Sequence, residues 1–397
     1  MSTLLAFEEA LKAIEDSASL RVSDEVIALP NAMGRILAKD IVANIFVPPY
    51  DNSAMDGYAL AAKDWQAGKS FVISQRIPAG QHPTPLEAGT CARIFTGASI
   101  PEGADTVVMQ EETQAVNGKV IFNQQPPSQD NIRPKGQDIK AGQTVAKAGQ
   151  KLTPMHIGLL SSLGITQVSV YKPLRVGILT TGDELVPAGE SLAPGQIFNS
   201  NGPMLSALVT QAGHQVSQCL HADDTPEDTE APLKTLMASS DVILSSGGVS
   251  VGEEDHVKTV LEKLGTVHLW KIAIKPGKPL VHASLDDIPF IGLPGNPSST
   301  LVTFHWFARL LLSVCSGQVA NRPQPYLVDA GFNRTKTIQR DEFIRVAIGD
   351  DGLAYAHPQQ SSGALLAACE SQGYLHIKAN TPIEYGCSYS FYPFNGF

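Results

Sequence analysis

Between Arg175 and about Gly317 the chain repeats one pattern: an apolar run, a short loop of small or acidic residues, then a helical stretch. Val176-Gly-Ile-Leu-Thr180, Val216 to His221, Val242-Ile-Leu-Ser245 and Ile288-Pro-Phe-Ile-Gly292 read as strands. Pro203 to Gly213, Pro226 to Met237, His256 to Leu264 and Ser298 to Cys315 read as helices. Alternation of this kind predicts a doubly wound, mostly parallel sheet with helices on both faces. In such a sheet ligands bind beyond the carboxyl ends of the strands. Four loops fall there: Thr180-Thr-Gly-Asp-Glu-Leu185, His221-Ala-Asp-Asp224, Ser245-Ser-Gly-Gly-Val-Ser-Val-Gly-Glu-Glu-Asp255, and Leu293-Pro-Gly-Asn-Pro-Ser-Ser299.

The third loop is the most informative. A strand feeds a glycine-rich turn that opens a helix, which aims backbone N–H groups and a helix N-terminus at one point and suits a phosphate or another oxyanion. Three acids stand at the same place, which makes sense if a divalent cation bridges them to the ligand. No Gly-Lys-Ser/Thr ends the loop, and Gly-x-Gly-x-x-Gly is absent, so it is neither a Walker A motif nor the dinucleotide fingerprint. The fourth loop begins a helix whose first turn carries Ser298 and Ser299, a second terminus ready for an oxyanion. Taken singly, Gly-Asp after a strand is usually a turn, and Pro-Gly-Asn-Pro-Ser a turn plus a cap. Their recurrence at one edge of one sheet argues for a site.

Composition limits the alternatives. With 29 Lys and Arg against 39 Asp and Glu the net charge is −10, which argues against general nucleic-acid binding. The five cysteines are widely spaced with no C-x-x-C, as in a reduced cytoplasmic protein, and give neither a disulfide framework nor a zinc knuckle. The N-terminal helical pattern, Leu5 to Ser17, is acidic and amphipathic, unlike a signal peptide. The apolar stretch Leu301 to Cys315 contains His305 and Arg309 and is too short to span a bilayer, so no membrane segment is expected.

Residues 42–142 are rich in Pro, Gly and short alternating runs, and read as a β-rich domain. Residues 143–174 hold a compact unit, with a helix starting at Thr153-Pro154 and Gly164 as its C-terminal punctuation. Residues 321–397 return to short β-like runs. Trp270-Lys-Ile-Ala-Ile-Lys-Pro-Gly-Lys-Pro279 places Lys271 and Lys275 on one face if it is a strand. Two such cations suit an oxyanion, although a solvated face is the commoner use of lysines. In the β-rich region Asp51-Asn-Ser-Ala-Met-Asp56, Thr96 and the Arg133 to Asp138 segment read, from first principles, as polar turns.

Together these segments resemble the molybdopterin molybdenumtransferases, the bacterial molybdenum insertases related to the E domain of gephyrin. The resemblance rests on Asp51-Asn-Ser-Ala-Met-Asp-Gly-Tyr-Ala59, Arg93-Ile-Phe-Thr-Gly-Ala98, Val108-Met-Gln-Glu111, Thr181-Gly-Asp-Glu-Leu185, Ser245 to Gly252, Ala273-Ile-Lys-Pro-Gly-Lys-Pro279 and Gly292-Leu-Pro-Gly-Asn-Pro297, in that order along essentially the whole chain. It implies an α/β multidomain fold: a molybdopterin-binding domain (1–22 and 175–320), a small α/β connecting domain (23–41 and 143–174), the β-rich domain (42–142) and a C-terminal β domain (321–397).

The resemblance also implies a cytoplasmic homodimer that inserts molybdate into adenylylated molybdopterin, releasing AMP and using Mg2+ or another divalent cation. Its partners would be a molybdopterin adenylyltransferase and downstream proteins that process molybdenum cofactor. Glu184, Asp223 and Asp255 match acidic active-site positions; with Asp224 they are the metal candidates, Asp255 first. Asp56, Thr96, Arg133 and Asp138 match positions that the β-rich domain contributes to the partner's cleft. Thr181, Gly182, Ser246, Gly247, Gly248, Ser250, Gly252, Pro294, Gly295, Asn296 and Ser298 would bind substrate, and Lys271, Lys275, Arg345 and Ser361 molybdate. Where the family often has Arg-x-x-Gly-Glu-Asp, this chain has Arg133-Pro-Lys-Gly-Gln-Asp138, so Gln137 removes one carboxylate. Two other readings remain: a gephyrin-like peptide-binding scaffold, which would dispense with the acids, and molybdopterin adenylylation, which would need only the sheet domain.

Overall fold

The computed structural model describes residues 4–249, 256–320 and 322–397. Helix α1 (Phe7–Ser17) buries Phe7, Ala10, Leu11 and Ile14. These recur at three- and four-residue spacing and so share one face. That face joins the core cluster of the large sheet, far along the sequence, through Val176, Leu244, Ile291 and Phe307.

Between them the chain builds a β-rich unit. Its sheet runs in the order Thr106–Met109, Gly57–Leu60, Cys91–Ile94, Ser70–Ile77, Lys119–Phe122 and Thr113–Val116. Alternate residues feed different cores: Tyr58 and Leu60 join Phe71 and Phe122, while Ala59 joins Ile77 and Ile94. Two short pairings flank it, Asp24–Ala28 with Gln167–Tyr171 and Ile41–Val42 with Thr144–Ala146. Helix α2 (Pro154–Ser162) lies in the connecting stretch, begins with proline in its first turn, and is followed by Gly164 at φ +74°.

Helices α3 (Asn201–Gln211), α4 (Pro226–Ser239) and α5 (His256–Leu264) alternate with strands of a six-stranded sheet. Its order is Gln215–Ala222, Arg175–Thr181, Val242–Ser246, Ile288–Leu293, Val281–Leu285 and Gly265–Trp270. The first four strands are parallel, and the last two add antiparallel. Three of the parallel strands are nearly continuous buried runs, as expected of strands covered on both faces, while the edge strand Gln215–Ala222 is largely half-buried or exposed. The antiparallel pair escapes the strand–helix pattern because it has no crossover helix to announce it. A long helix closes the unit: α6 (Pro297–Thr303), a π-helical segment Phe304–Ala308, and α7 (Arg309–Cys315).

The C-terminal sheet contains Asp341–Ile348, Gly373–Ile377, Ser388–Pro393 and Tyr326–Asp329, and it recruits Ile274–Lys275 as an edge strand. The pairings Ile274↔Asp341 and Lys275↔Glu342 stitch it to the sheet domain. The single strand predicted through Lys271 and Lys275 is therefore broken: Gly265–Trp270 ends one residue before Lys271, which turns at φ +75°, and Lys275 belongs to another sheet. Among the described residues no helix is long and apolar enough to cross a membrane.

Candidate active site

The carboxyl ends of the parallel strands open into a cleft of about 410 Å3. All four anticipated loops line it: the first through Thr181, Gly182 and Glu184, the second through Asp224, the glycine-rich loop through Ser246, Gly247 and Gly248, and the last through Pro294 to Asn296. Ser250, Gly252 and Asp255 lie outside the described residues.

The loops approach one another so closely that only glycine fits. Gly247 and Gly248 have φ of +97° and +63°. A Cβ on Gly247 would stand 2.5 Å from the Thr181 carbonyl oxygen, and one on Gly248 2.3 Å from Val257 Cγ2. The loop backbone thus packs directly against Thr181 and Val257, and two successive glycines at positive φ beside the cleft suit an anion cradle. Asn201 ties the remaining loops together: its Nδ2 donates to Ser246 Oγ at 2.9 Å and to the Gly295 carbonyl at 2.6 Å. Ser246 Oγ donates in turn to the Pro294 carbonyl at 2.9 Å, and so does Thr300 Oγ1 at 2.6 Å. Asn201 was not anticipated from the sequence. The Asn199-Ser-Asn201 triplet before Pro203 was the available signal, since asparagines cluster at helix starts. Ile197, Phe198 and Pro279 also line the cleft. Ile197 and Phe198 are exposed apolar groups on its wall, which suits a flat heterocycle.

Three buried polar atoms around these strand ends have no partner among the described residues: Thr181 Oγ1, Asn201 Oδ1 and Ser245 Oγ. Unsatisfied groups at the end of a sheet are the kind that a ligand satisfies. The acids are placed unevenly. Glu184 folds back toward Gly182, where an added Cβ would lie 2.4 Å from its Oε2. Asp224 lines the cleft, and its backbone N–H donates to Asp183 Oδ1 at 2.8 Å. Asp223 instead stands 3.6 Å from His221 Nε2 and outside the cleft lining. Among the described residues no three His, Cys, Asp or Glu side chains gather as a metal-ligand set.

The residues matched to molybdate lie beside the cleft, against the C-terminal sheet. Arg345 is only 2% exposed. Its terminal N–H groups donate to Ser298 Oγ and to the carbonyls of Ala364, Gln359 and Ser361, the last three at 2.9, 3.1 and 3.0 Å. It therefore clamps the 359–364 loop against the first turn of α6. Ser298 is held on both sides, because its backbone N–H also donates to the Ser362 carbonyl. Ser361 Oγ accepts from the Gly363 N–H, and Gly363 abuts Asn296 of the cleft. Lys275 pairs with Glu342 at 3.0 Å, and Glu342, 5% exposed, also pairs with Arg334. Lys271 is partly exposed, and its backbone N–H donates to the Leu280 carbonyl.

The β-rich residues form a separate surface. Thr96 donates to Asp56 Oδ1 through both its backbone N–H and its hydroxyl, each at 2.8 Å. Those two bonds, with Arg93 nearby, hold the Asp56 carboxyl below the usual carboxylate range. Arg133 pairs with Asn52 in a short strand, and the Asp138 N–H donates to the Val47 carbonyl. None of Asp56, Thr96, Arg133 or Asp138 lines the cleft of its own chain.

Comparison with known proteins places this architecture. Residues 5–164 match the MoeA N-terminal region (domain I and II), 177–313 a probable molybdopterin binding domain, and 328–394 the MoeA C-terminal region (domain IV). A molybdopterin molybdenumtransferase of Haemophilus influenzae is 39% identical over 347 residues, which cover 86% of this chain and 85% of that protein. One from Synechococcus elongatus is 33% identical over 96% of this chain and 99% of its own length. The crystal structure of a molybdopterin biosynthesis MoeA protein from Pyrococcus horikoshii OT3 superposes with a TM-score of 0.87 at 27% identity, covering 99% of this chain and all of that one. The chain belongs to the molybdopterin molybdenumtransferase family.

Proposed function

We propose that the chain is a cytoplasmic molybdopterin molybdenumtransferase that inserts molybdate into adenylylated molybdopterin and releases AMP. The observation that carries the reading is the convergence of side-chain-free backbone at Gly247 and Gly248, the start of α6 and two carboxylates on one cleft with an apolar wall. A phosphate-bearing heterocycle needs these together: bare N–H groups for the phosphates and an apolar face for the ring.

The two cleft carboxylates suit a divalent cation of the Mg2+ kind, which typically takes one or two carboxylates and completes its shell with substrate phosphates and water. Glu184 and Asp224, with Asp255, would hold it, and it would neutralise pyrophosphate charge. The chain's own residues do the rest. Asn201 fixes the spacing between the glycine-rich and Pro294–Asn296 loops, which orients the pyrophosphate. Lys271 would supply positive charge toward molybdate, with Lys275 available only in exchange for its pairing with Glu342, while Arg345 sets the 359–364 loop beside Asn296. Insertion exchanges molybdate oxygen for dithiolene sulfur; the displaced oxygen leaves as water with the two thiol protons, and molybdenum keeps its oxidation state. Water hydrolyses the pyrophosphate bond, leaving AMP and the terminal phosphate of the molybdopterin. In a homodimer, Asp56, Thr96, Arg133 and Asp138 complete the partner's cleft, which accounts for their lying away from their own.

The test is AMP release from adenylyl-molybdopterin by the purified protein, with and without molybdate and Mg2+, coupled to reconstitution of a cofactor-free molybdoenzyme. Release that needs both additions and yields an active molybdoenzyme is expected. ATP consumption with molybdopterin as substrate would make the chain an adenylyltransferase instead. Mixing an Asp56→Ala chain with a Glu184→Ala chain should recover activity that neither has alone if sites are shared between subunits.

A further inference from the structure

A second cavity, of about 80 Å3, lies away from the strand ends, between α1, the end of α3, the α6–α7 helix and the C-terminal residues Phe394 and Phe397. Its lining is unusual in charge. Lys151, His214, His305 and Arg309 all face it, and Gln211 and Gln318 add further polar side chains. Arg322 at the lining is neutralised by Glu8 and Glu15 of α1, at 2.8 and 3.1 Å. Lys151 and Arg309 have no such partner: among the described residues neither makes a side-chain hydrogen bond or an ion pair.

Two buried polar atoms on this lining are also unpaired, Trp306 Nε1 and His214 Nδ1. Trp306 is only 4% exposed, and an indole N–H can do nothing but donate. Buried polar groups are almost always paired, so these two atoms, beside an exposed Lys151 and a half-buried Arg309 that no acidic side chain neutralises, favour an acceptor that carries negative charge. The π-helical segment Phe304–Ala308 puts His305 and Trp306 on this wall just before Arg309. Such widened turns are frequent at functional positions. Burial and like charge are already felt: Lys151 and Arg309 are pushed below their ordinary values by burial, and Lys151 also by Arg309.

We propose that the cavity lined by Lys151, His214, Trp306 and Arg309 binds a tetrahedral inorganic oxyanion, at a place separate from the cleft at the strand ends. Size fixes the class, since organic ligands of ordinary size need several hundred Å3 while this void holds a small ion with a few waters. Phosphate, sulfate and molybdate share the required shape and charge. The site joins the connecting stretch, through Lys151, to the α6–α7 helix of the sheet domain, through Arg309, so its occupancy relieves repulsion between them.

The test is calorimetric titration of the full chain, free of pterin and at low ionic strength, with phosphate, sulfate and molybdate in turn. Each of Lys151→Met and Arg309→Met should weaken oxyanion binding about tenfold, the scale of one charge-assisted hydrogen bond. Dependence on these residues for phosphate and sulfate marks a site for the general oxyanion pool; the same dependence for molybdate alone marks a site for the metal's oxyanion. Lys151 is exposed at its surface end, so Lys151→Met should fold, and without oxyanion it should melt slightly higher than wild type because a like charge is gone. Undiminished affinity in both variants, no binding of any of the three anions, or a lowered melting temperature in oxyanion-free Lys151→Met would overturn the proposal.

Discussion

Replacing Gly247 by alanine tests whether the cleft depends on the backbone approach at the glycine-rich loop. At φ +97° an L-residue lies beyond the small left-handed region, which already costs about 1–2 kcal/mol. The new Cβ would meet the Thr181 carbonyl oxygen at 2.5 Å and Thr181 Oγ1 at 2.7 Å. The first of these is backbone in a parallel strand and cannot swing aside, so relief needs a shift of one loop, at about 1–3 kcal/mol for overpacking. The sum, about 2–5 kcal/mol, is a large fraction of a typical domain's stability. The sheet either loses that stability or moves the loop and deforms the cleft. Thermal melting and hydrogen exchange at Thr181 and Ser246, read beside substrate affinity, distinguish the two. Gly295→Ala is the control: its Cβ meets only Gly247 Cα, at an ordinary 3.7 Å, so stability should change by less than about 0.5 kcal/mol. A Gly247→Ala protein with wild-type melting, exchange and affinity would refute the argument that glycine is sterically required there.

Asn201→Ala removes two hydrogen bonds but also an unpaired Oδ1, so a net loss of about 1–2 kcal/mol is expected, with a rise in KM larger than the fall in kcat; unchanged KM would show that the loops hold their spacing without it. Arg345→Met strips the donor from three carbonyls and Ser298 Oγ, for a loss of about 3–5 kcal/mol after allowing for non-additivity, and limited proteolysis should then cut within 359–364; resistance there would show that other contacts hold the loop. Burial lowers His214 and His282 from 6.5 to about 4 and His305 to about 3. Between pH 6.5 and about 4 the unfolded chain therefore binds protons that the folded chain refuses, so stability falls on acidification by about 1.4 kcal/mol per pH unit per histidine. His282→Gln should flatten that slope by one such share in acid-denaturation titrations, and an unaltered slope would mean that His282 is protonated in the fold.

The strand–loop–helix repeat from Arg175 to Cys315 was legible because fully buried parallel strands are written as continuous apolar runs and their crossovers as long helical patterns, both local signals. The loops lining the cleft were legible for a related reason: Gly182, Gly247 and Gly248 occupy conformations that other residues rarely take, so the chain must spell them as glycine. The two antiparallel strands and the split of Lys271 from Lys275 were not legible. Gly265–Trp270 and Val281–Leu285 are short, and which strand or sheet edge each one joins is settled by non-local pairing, which no local pattern records. Nor could sequence show that Arg345 spends its guanidinium on a loop, that Lys275 sits on Glu342, or that Asn201 bridges the cleft loops. Each of those depends on residues 14 to 94 positions apart being brought within about 3 Å, and that is decided by how the sheet domain and the C-terminal sheet pack. The sequence by itself determined which backbone can be bared to a ligand; tertiary structure alone decided which charges remain free to meet one.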